Sequence, residues 1–561
     1  MNRRARPDRG FGLESLESRL ALAGDFPSID RPFVAYFPEG FASERINEFV
    51  PITNSGDNDV LYELYARYED GEPGQLIAGG VLAAHTRGGV TVSDSQAGGS
   101  QGVRSGVPYA LVLRASGRLS AMFSHYDFGT ALGESFSEVT DRNWIIPEVG
   151  RDASGHNAQD FILVYNPDDR DVDVRITLIN DQGLTREFTR EVGAMRRAGW
   201  AINDLPGLPP GLWSAVLDAD GPIVASASIY RPNEARGYGV LGIPGDGYTA
   251  GVIGSIGFDD NFYDRNGDDR THPRFPADAF VSIFNPGSFE ARVVISLLPE
   301  NGGPVVDQHV VTVEARSRLT VSLHEFELDP GTYTAVYLSD NPVAVTGSVF
   351  QGQDGTGSEA GPVAWTVWDF GEGYMSRSRG GSGVIENLRL FNPGDDPVTV
   401  QIEFSFVDGS FVFSPIAPVL AGSALIINID EIAEVRDRAE DVWFGMRVVA
   451  SAPIVVSMEH WDLGNGGGFL SLGMPSGNSA QVGTLLDRDI FDPPQRPAMA
   501  GPSESAADRV LGGIATVVRR GGFEEPRIAL WQTDAGRKDG VLLRVDGPGF
   551  SPVMIPLIEN G

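Results

Sequence analysis

Four segments of this chain repeat one order of residues, and that repetition limits the fold more than any other feature. Four apolar runs close on an asparagine: Phe49-Val50-Pro51-Ile52-Thr53-Asn54, Phe161-Ile162-Leu163-Val164-Tyr165-Asn166, Phe280-Val281-Ser282-Ile283-Phe284-Asn285 and Leu388-Arg389-Leu390-Phe391-Asn392. The asparagines stand 112, 119 and 107 residues apart. Recurrence of this kind marks one structural unit used several times. Seventeen residues beyond each asparagine lies a glycine, at Gly71, Gly183, Gly302 and Gly409. Each repeat then ends on an aromatic strand (Tyr109, Trp213, Tyr333, Trp443) and a second aromatic, at Tyr126, Tyr230, Phe350 and Trp461. Asparagine bonds its own backbone and tolerates left-handed angles, so it closes a strand, and glycine after aspartate or asparagine turns a hairpin.

Between the asparagine and the glycine, apolar and polar residues alternate, as in Val398, Val400, Ile402, Phe404 and Phe406 against Thr399, Gln401, Glu403 and Ser405. Period two is a strand with one buried face. A single sheet of such strands leaves an apolar face wet, whereas two sheets packed together bury both. The sequence therefore predicts an all-β chain of four tandem β-sandwich repeats of about 110 residues, over 30–140, 141–247, 248–361 and 362–482. Residues 1–29 form a distinct N-terminal segment, 483–508 a proline-bearing linker, and 509–561 a short C-terminal β unit.

Composition narrows the chemistry. The chain has no cysteine, which excludes disulfides, thiolate nucleophiles and Cys-ligated metal, and Lys538 is its one lysine. A formal net charge of −33 repels phosphate backbones, so no nucleic-acid partner is expected. No apolar run is long enough to cross a membrane as a helix, so no transmembrane segment is expected.

Two resemblances add to this reading. Near the start, Leu16-Glu17-Ser18-Arg19-Leu20-Ala21-Leu22-Ala23-Gly24 resembles the LEPR-XLL motif of large exported bacterial proteins, with Ser18 in place of its proline and Ala21 in place of its first paired leucine. The repeats resemble the sensory rhodopsin transducer-like β-sandwich family. The carriers are the opening pattern Tyr36-Phe37-Pro38-Glu39-Gly40 and Trp368-Asp369-Phe370-Gly371-Glu372-Gly373, the asparagine turns, the Asp-Gly hairpin and the late Ser339-to-Val343 segment. The second and third repeats depart from the opening pattern, with Trp144-Ile145-Ile146-Pro147-Glu148-Val149-Gly150 and Ile253-Gly254-Ser255-Ile256-Gly257. The resemblance implies a binding or structural module without catalytic residues, with carbohydrate recognition proposed for relatives. Because those relatives resemble subunits of a tetramer, it also implies that the four copies close into a pseudo-fourfold ring.

The candidate sites are few. Trp144, Trp365 and Trp368 lie in opening segments, where an indole can stack on a sugar or cover the end of a sandwich. Asp259, Asp260, Asp264, Asn266 and Asp268 offer alternating oxygens to calcium, although the spacing is not that of an EF-hand. His125 and His460 occupy equivalent positions and read as packing. Gly98-Gly99-Ser100-Gln101-Gly102 spells a nucleophile elbow in a Ser- and Gly-rich stretch that reads as a loop. No other cofactor and no catalytic residue is assigned. The sequence thus points to a non-enzymatic exported or cell-surface protein with structural or adhesive ends, whose partner is a cell-surface glycan or protein. The alternatives are an array of carbohydrate-binding modules and a hydrolase with its site between repeats.

Overall fold

The computed structural model describes residues 33–486, except 44–45, 93–101, 128–129, 153, 155–156, 259–277, 301, 352–353, 376–383, 439–440 and 463–466, and the strands Arg527–Trp531, Gly540–Arg544 and Val553–Pro556. The chain divides into two units, Met1–Pro493 and Pro494–Gly561. The first unit holds four β-sandwiches, whose opening strands are Phe33–Phe37, Asp141–Arg151, Tyr248–Phe258 and Val363–Phe370. The second contains an antiparallel three-stranded sheet in chain order.

The second repeat shows the shared plan. Its opening strand pairs with the first half of a long strand, Gly211–Arg231, which pairs in turn with the hairpin Val172–Asn180 and Thr185–Val192. The second half of that strand passes into the other sheet, between Phe161–Tyr165 and Arg236–Leu241, with Arg197–Ala201 at the edge. Gly331–Gln351 and Val442–Asp462 make the same passage in the third and fourth repeats. In the first repeat the passage is broken into Tyr109–Ala115 and Ser120–Asp127, leaving two separate four-stranded sheets. One apolar core fills each sandwich, built around side chains such as Leu64 and Phe123, Val164 and Trp213, Ile283 and Ile295, and Phe391 and Phe404.

The recurrent asparagines are buried clamps. Asn54 donates to the carbonyls of Asn58, Leu82 and Ala83 at 2.9–3.0 Å and accepts from the Gly56 amide at 3.0 Å. Asn166, Asn285 and Asn392 likewise donate to the carbonyl four residues on and to the far end of the hairpin. Contrary to expectation, their backbones stay out of the left-handed region, and the amide side chain closes the turn instead. The hairpin glycines do take it: φ is +94° at Gly71, +72° at Gly183, +77° at Gly302 and +78° at Gly409, a region costly for residues with a Cβ.

After each long passage comes a short axial strand: Thr130–Ser135, Arg236–Leu241, Asp354–Glu359 and Gly468–Leu472. Each packs against the next and the fourth packs against the first, so the four repeats form a closed ring about a pseudo-fourfold axis. Glycine makes the close approach feasible. A methyl group on Gly133 would fall inside the Phe469 ring, and one on Gly357 inside the Tyr238 ring, while Gly239 lies under Leu132. Each side chain thus enters the space that the neighbouring repeat leaves by having no Cβ.

Candidate functional site

Many of the charged groups that the fold buries collect at two kinds of place. The first is between repeats. The opening segments bring Glu39, Glu148 and Glu372 to the boundary with the following repeat. Glu39 accepts the Ser228 hydroxyl, Glu148 accepts Ser282 Oγ at 2.6 Å, and Glu372 accepts Ser124 Oγ at 2.5 Å, which closes the ring from the fourth repeat to the first. An arginine of the following repeat stands by each: Arg318 binds Glu148 at 2.7 Å, Arg197 lies in the field of Glu39, and the buried Arg87 in that of Glu372.

The third boundary carries the same chemistry with the sides exchanged. Its opening residue is Ser255, and the carboxylate is Glu459, at the place Ser124 and Ser228 hold two residues before the late aromatic. Ser255 Oγ donates to Glu459 at 2.8 Å, and Arg389 holds the same carboxylate at 2.6 and 3.1 Å. Arg389 sits in the asparagine strand, one strand away from the position that Arg87, Arg197 and Arg318 share, where the fourth repeat has Ala424. Burial favours the neutral acid at Glu459, but Arg389 outweighs it and keeps the carboxyl below its usual pKa. At Glu39 burial prevails over His125, Ser228 and Arg197, and the pKa rises.

The second place lies inside three of the four repeats, where a buried carboxylate pins the opening segment. Glu48 accepts the Phe41 amide at 2.7 Å, the Tyr109 hydroxyl and His125 Nδ1 at 2.9 Å. Glu386 accepts the Tyr374 amide at 2.9 Å and His460 Nδ1 at 3.0 Å. Asp160 takes the Gly150 amide and, at 2.7 Å, Arg231. In the third repeat both partners are apolar, Ala279 and Val349. Burial disfavours charge on His125, but Asp127 and Glu48 outweigh it and lift its pKa to about 10. The stability this imidazolium contributes is therefore complete below its ordinary pKa and is lost as pH rises through about 10. Both histidines are buried, 1% and 2% exposed, and each is paired with a glutamate.

Of the sequence candidates, Trp144 and Trp368 are corrected: they are only 1% and 2% exposed, and each indole N–H donates to a backbone carbonyl, Ile223 at 2.9 Å and Ile454 at 2.8 Å. Their alternation along the opening strand turns both rings into the core, so neither offers a face to a sugar. Trp365 is half-buried against the fourth core. Trp368→Ala is expected to cost about 3–5 kcal/mol in urea unfolding and Trp365→Ala less than about half of that. The acidic group Asp259, Asp260, Asp264, Asn266 and Asp268, the nucleophile-elbow spelling and the N-terminal motif lie outside the described residues. Among the described residues no group of three or more metal-ligating side chains converges. A cavity of about 300 Å³ beside Phe289 and Pro342 has one ionisable lining residue, Asp246.

Sequence reasoning named the glutamates of the opening pattern but missed their serines. The signal at three of the four boundaries was the residue two places before the late aromatic, Ser124, Ser228 and Glu459; Glu148 instead takes Ser282, from the asparagine strand. Glutamate appears there in the one repeat whose predecessor opens with serine.

No family profile and no curated protein matches the chain. Among solved structures it is similar to a Thermotoga maritima protein, at 15% identity over 19% of this chain and 95% of that one, with a TM-score of 0.17. A tetra-tandem repeat in the extending region of a large adhesion protein matches at 13% identity over 78% and 93%, with a TM-score of 0.10. The major pilin of Streptococcus pyogenes, in a point-mutant form, matches at 9% identity over 48% and 98%, with a TM-score of 0.11.

Proposed function

We propose that this protein is a non-enzymatic, exported structural or adhesive protein of the cell surface. The observation that carries the reading is the use made of its buried ionisable groups. Glu148, Glu459, Glu48, Asp160 and Glu386 are each held by hydrogen bonds that tie repeat to repeat or opening segment to core. A catalytic carboxylate or histidine instead needs a face toward a substrate. The first unit devotes this chemistry to a scaffold without disulfides.

The test is surface proteolysis of intact cells of the native organism, with the released fragments identified by mass spectrometry, beside a hydrolase screen of the purified chain. Release from intact cells and no turnover are expected. Protection from the protease overturns the surface role, and turnover on any glycoside, ester or peptide substrate overturns the non-enzymatic one. A glycan array run in parallel reports whether adhesion is to sugar, and loss of binding in Trp365→Ala would place it at that indole.

A further inference from the structure

Repeat four meets repeat one at a seam that no connecting segment joins, whereas residues 136–140, 242–247 and 360–362 bridge the other three boundaries. Beside that seam the outer sheet of repeat four leaves an apolar strip open. Phe411 and Phe413 are 43% and 49% exposed on the edge strand Phe411–Val419, and Val449, on the long strand, is 41% exposed. Register places them on one face: Gln401 lies opposite Pro415 on one side and Val449 on the other, and the half-buried Val367 lies beyond Val449. The two phenylalanine rings meet edge to face at 5.7 Å. His85 of the first repeat reaches across the seam to stack on Phe411 at 4.1 Å. The aromatic part of the strip is therefore ordered before anything binds it.

The fold does not require such a strip. In every repeat the residue nine places beyond the asparagine faces the residue twelve places before the late aromatic. In the first two repeats this pair is charged: Glu63 lies opposite Arg114, and Arg175 forms an ion pair with Asp218. In the third it is apolar, Val294 and Leu338, and it is covered. Leu338 and its neighbour Ala250 are 5% and 3% exposed and share one apolar cluster with Val482 and Leu486. A methyl group on Gly483 would come within 3.1 Å of the Ala250 side chain. The chain thus lays its own short segment, Val482–Leu486, over the apolar pair of repeat three. At the same register in repeat four, Val449 has no such cover among the described residues. Beside it, where repeat two carries Thr185 and Glu187, stand Phe411 and Phe413.

We propose that the strip of Phe411, Phe413, Val449 and Val367 docks a short apolar segment of a partner protein, flanked by lysine or arginine, much as Val482–Leu486 covers repeat three. An open apolar patch with polar surroundings is the ordinary mark of an interaction surface. Its size decides against a second copy of the chain. A face four strands wide and three residues deep spans about 300 Å², well short of the roughly 800 Å² per partner of a standard interface. Pro415 and Pro418 withhold amide donors from the edge strand, so the partner lies across the face and does not extend the sheet. A net charge of −33 repels another copy and favours basic flanks on the occupant. The proposal goes beyond the surface role and does not depend on it, since the strip is present wherever the protein resides.

Repeat two supplies a variant that keeps the fold while closing the strip. Gln401→Arg with Val449→Asp and Phe413→Glu gives repeat four the ion pair and the glutamate that repeat two carries at the same register. A random library of short peptides is selected on the full chain and counter-selected on this variant. The enriched peptides are expected to cluster large apolar residues beside lysine or arginine. Calorimetric titration of the leading peptide into the full chain should fit one site, with affinity falling on the order of tenfold or more in the variant. If the triple variant melts early, Phe413→Ser, at an exposed position, carries the comparison and should show the same loss. Failure to enrich peptides over the variant, or equal binding to both proteins, overturns the proposal. Enriched peptides with acidic flanks overturn the charge assigned to the occupant. A dimer that grows with concentration in light scattering and vanishes in the variant gives the strip to a second copy, and overturns the proposal as well.

Discussion

Replacing His125 with valine is expected to destabilise the ring by about 3–5 kcal/mol, and adding Glu48→Ala is expected to return more than half of that loss. His125 and Glu48 are buried against one another with Nδ1 2.9 Å from the carboxylate, so removing the ring alone leaves a charge in a dry interior. The third repeat has already made both changes: Ala279 and Val349 stand at these positions and pack with no loss of the sandwich. Urea unfolding of the two single variants and the double variant measures the coupling as a cycle. If the double variant is less stable than His125→Val, the pair is not the self-contained unit that the comparison of repeats implies. The amide of Phe41 and the hydroxyl of Tyr109 also bond Glu48 and lose their acceptor in the double variant, so full recovery is not expected.

An effect of similar size is expected at the seam. Ser124→Glu places a second carboxylate against Glu372, with the single buried arginine, Arg87, to serve both, and should cost about 3–5 kcal/mol. Glu372→Ser alone removes the acceptor of the Ser124 hydroxyl and the charge opposite Arg87, for about 1–3 kcal/mol. Together the two substitutions reproduce the third boundary, where Ser255 faces Glu459, and should be more stable than Ser124→Glu by about 2 kcal/mol or more. Thermal melts of the three variants decide it. Additive losses would mean that Arg389, which has no counterpart in the first repeat, is required for the exchanged arrangement to hold.

The class of fold was legible because its signals are local. Alternation within Val398–Phe406, the asparagine turns and the positive-φ glycines each act over a few residues, and each does in the structure what strand and turn chemistry demands. What the asparagines do was less legible: the amide of Asn54 reaches Leu82 and Ala83, a contact visible only once the hairpin is folded back. The tryptophans misled for a related reason. Trp368 lies in a segment rich in glycine and charge, which reads as a loop, yet the opening strand is internal to its sheet and its alternation sets that ring in the core. The locks between repeats depend on residues far apart in sequence, such as Ser124 with Glu372, and one sequence shows them only through the compensating change at Ser255 and Glu459.

That compensating change follows from joining the copies in one polypeptide. In a ring of four identical chains, one altered codon would alter all four contacts at once, and a glutamate turned to serine would need every opposing serine to change with it. Here each contact is written separately, so a single one can exchange its donor and acceptor while the other three stand. Ser255 and Glu459 give the third and fourth repeats a mutual preference that the remaining neighbours do not share, which makes the order of the copies around the axis a property inherited with the gene and not only a result of the short bridges between them.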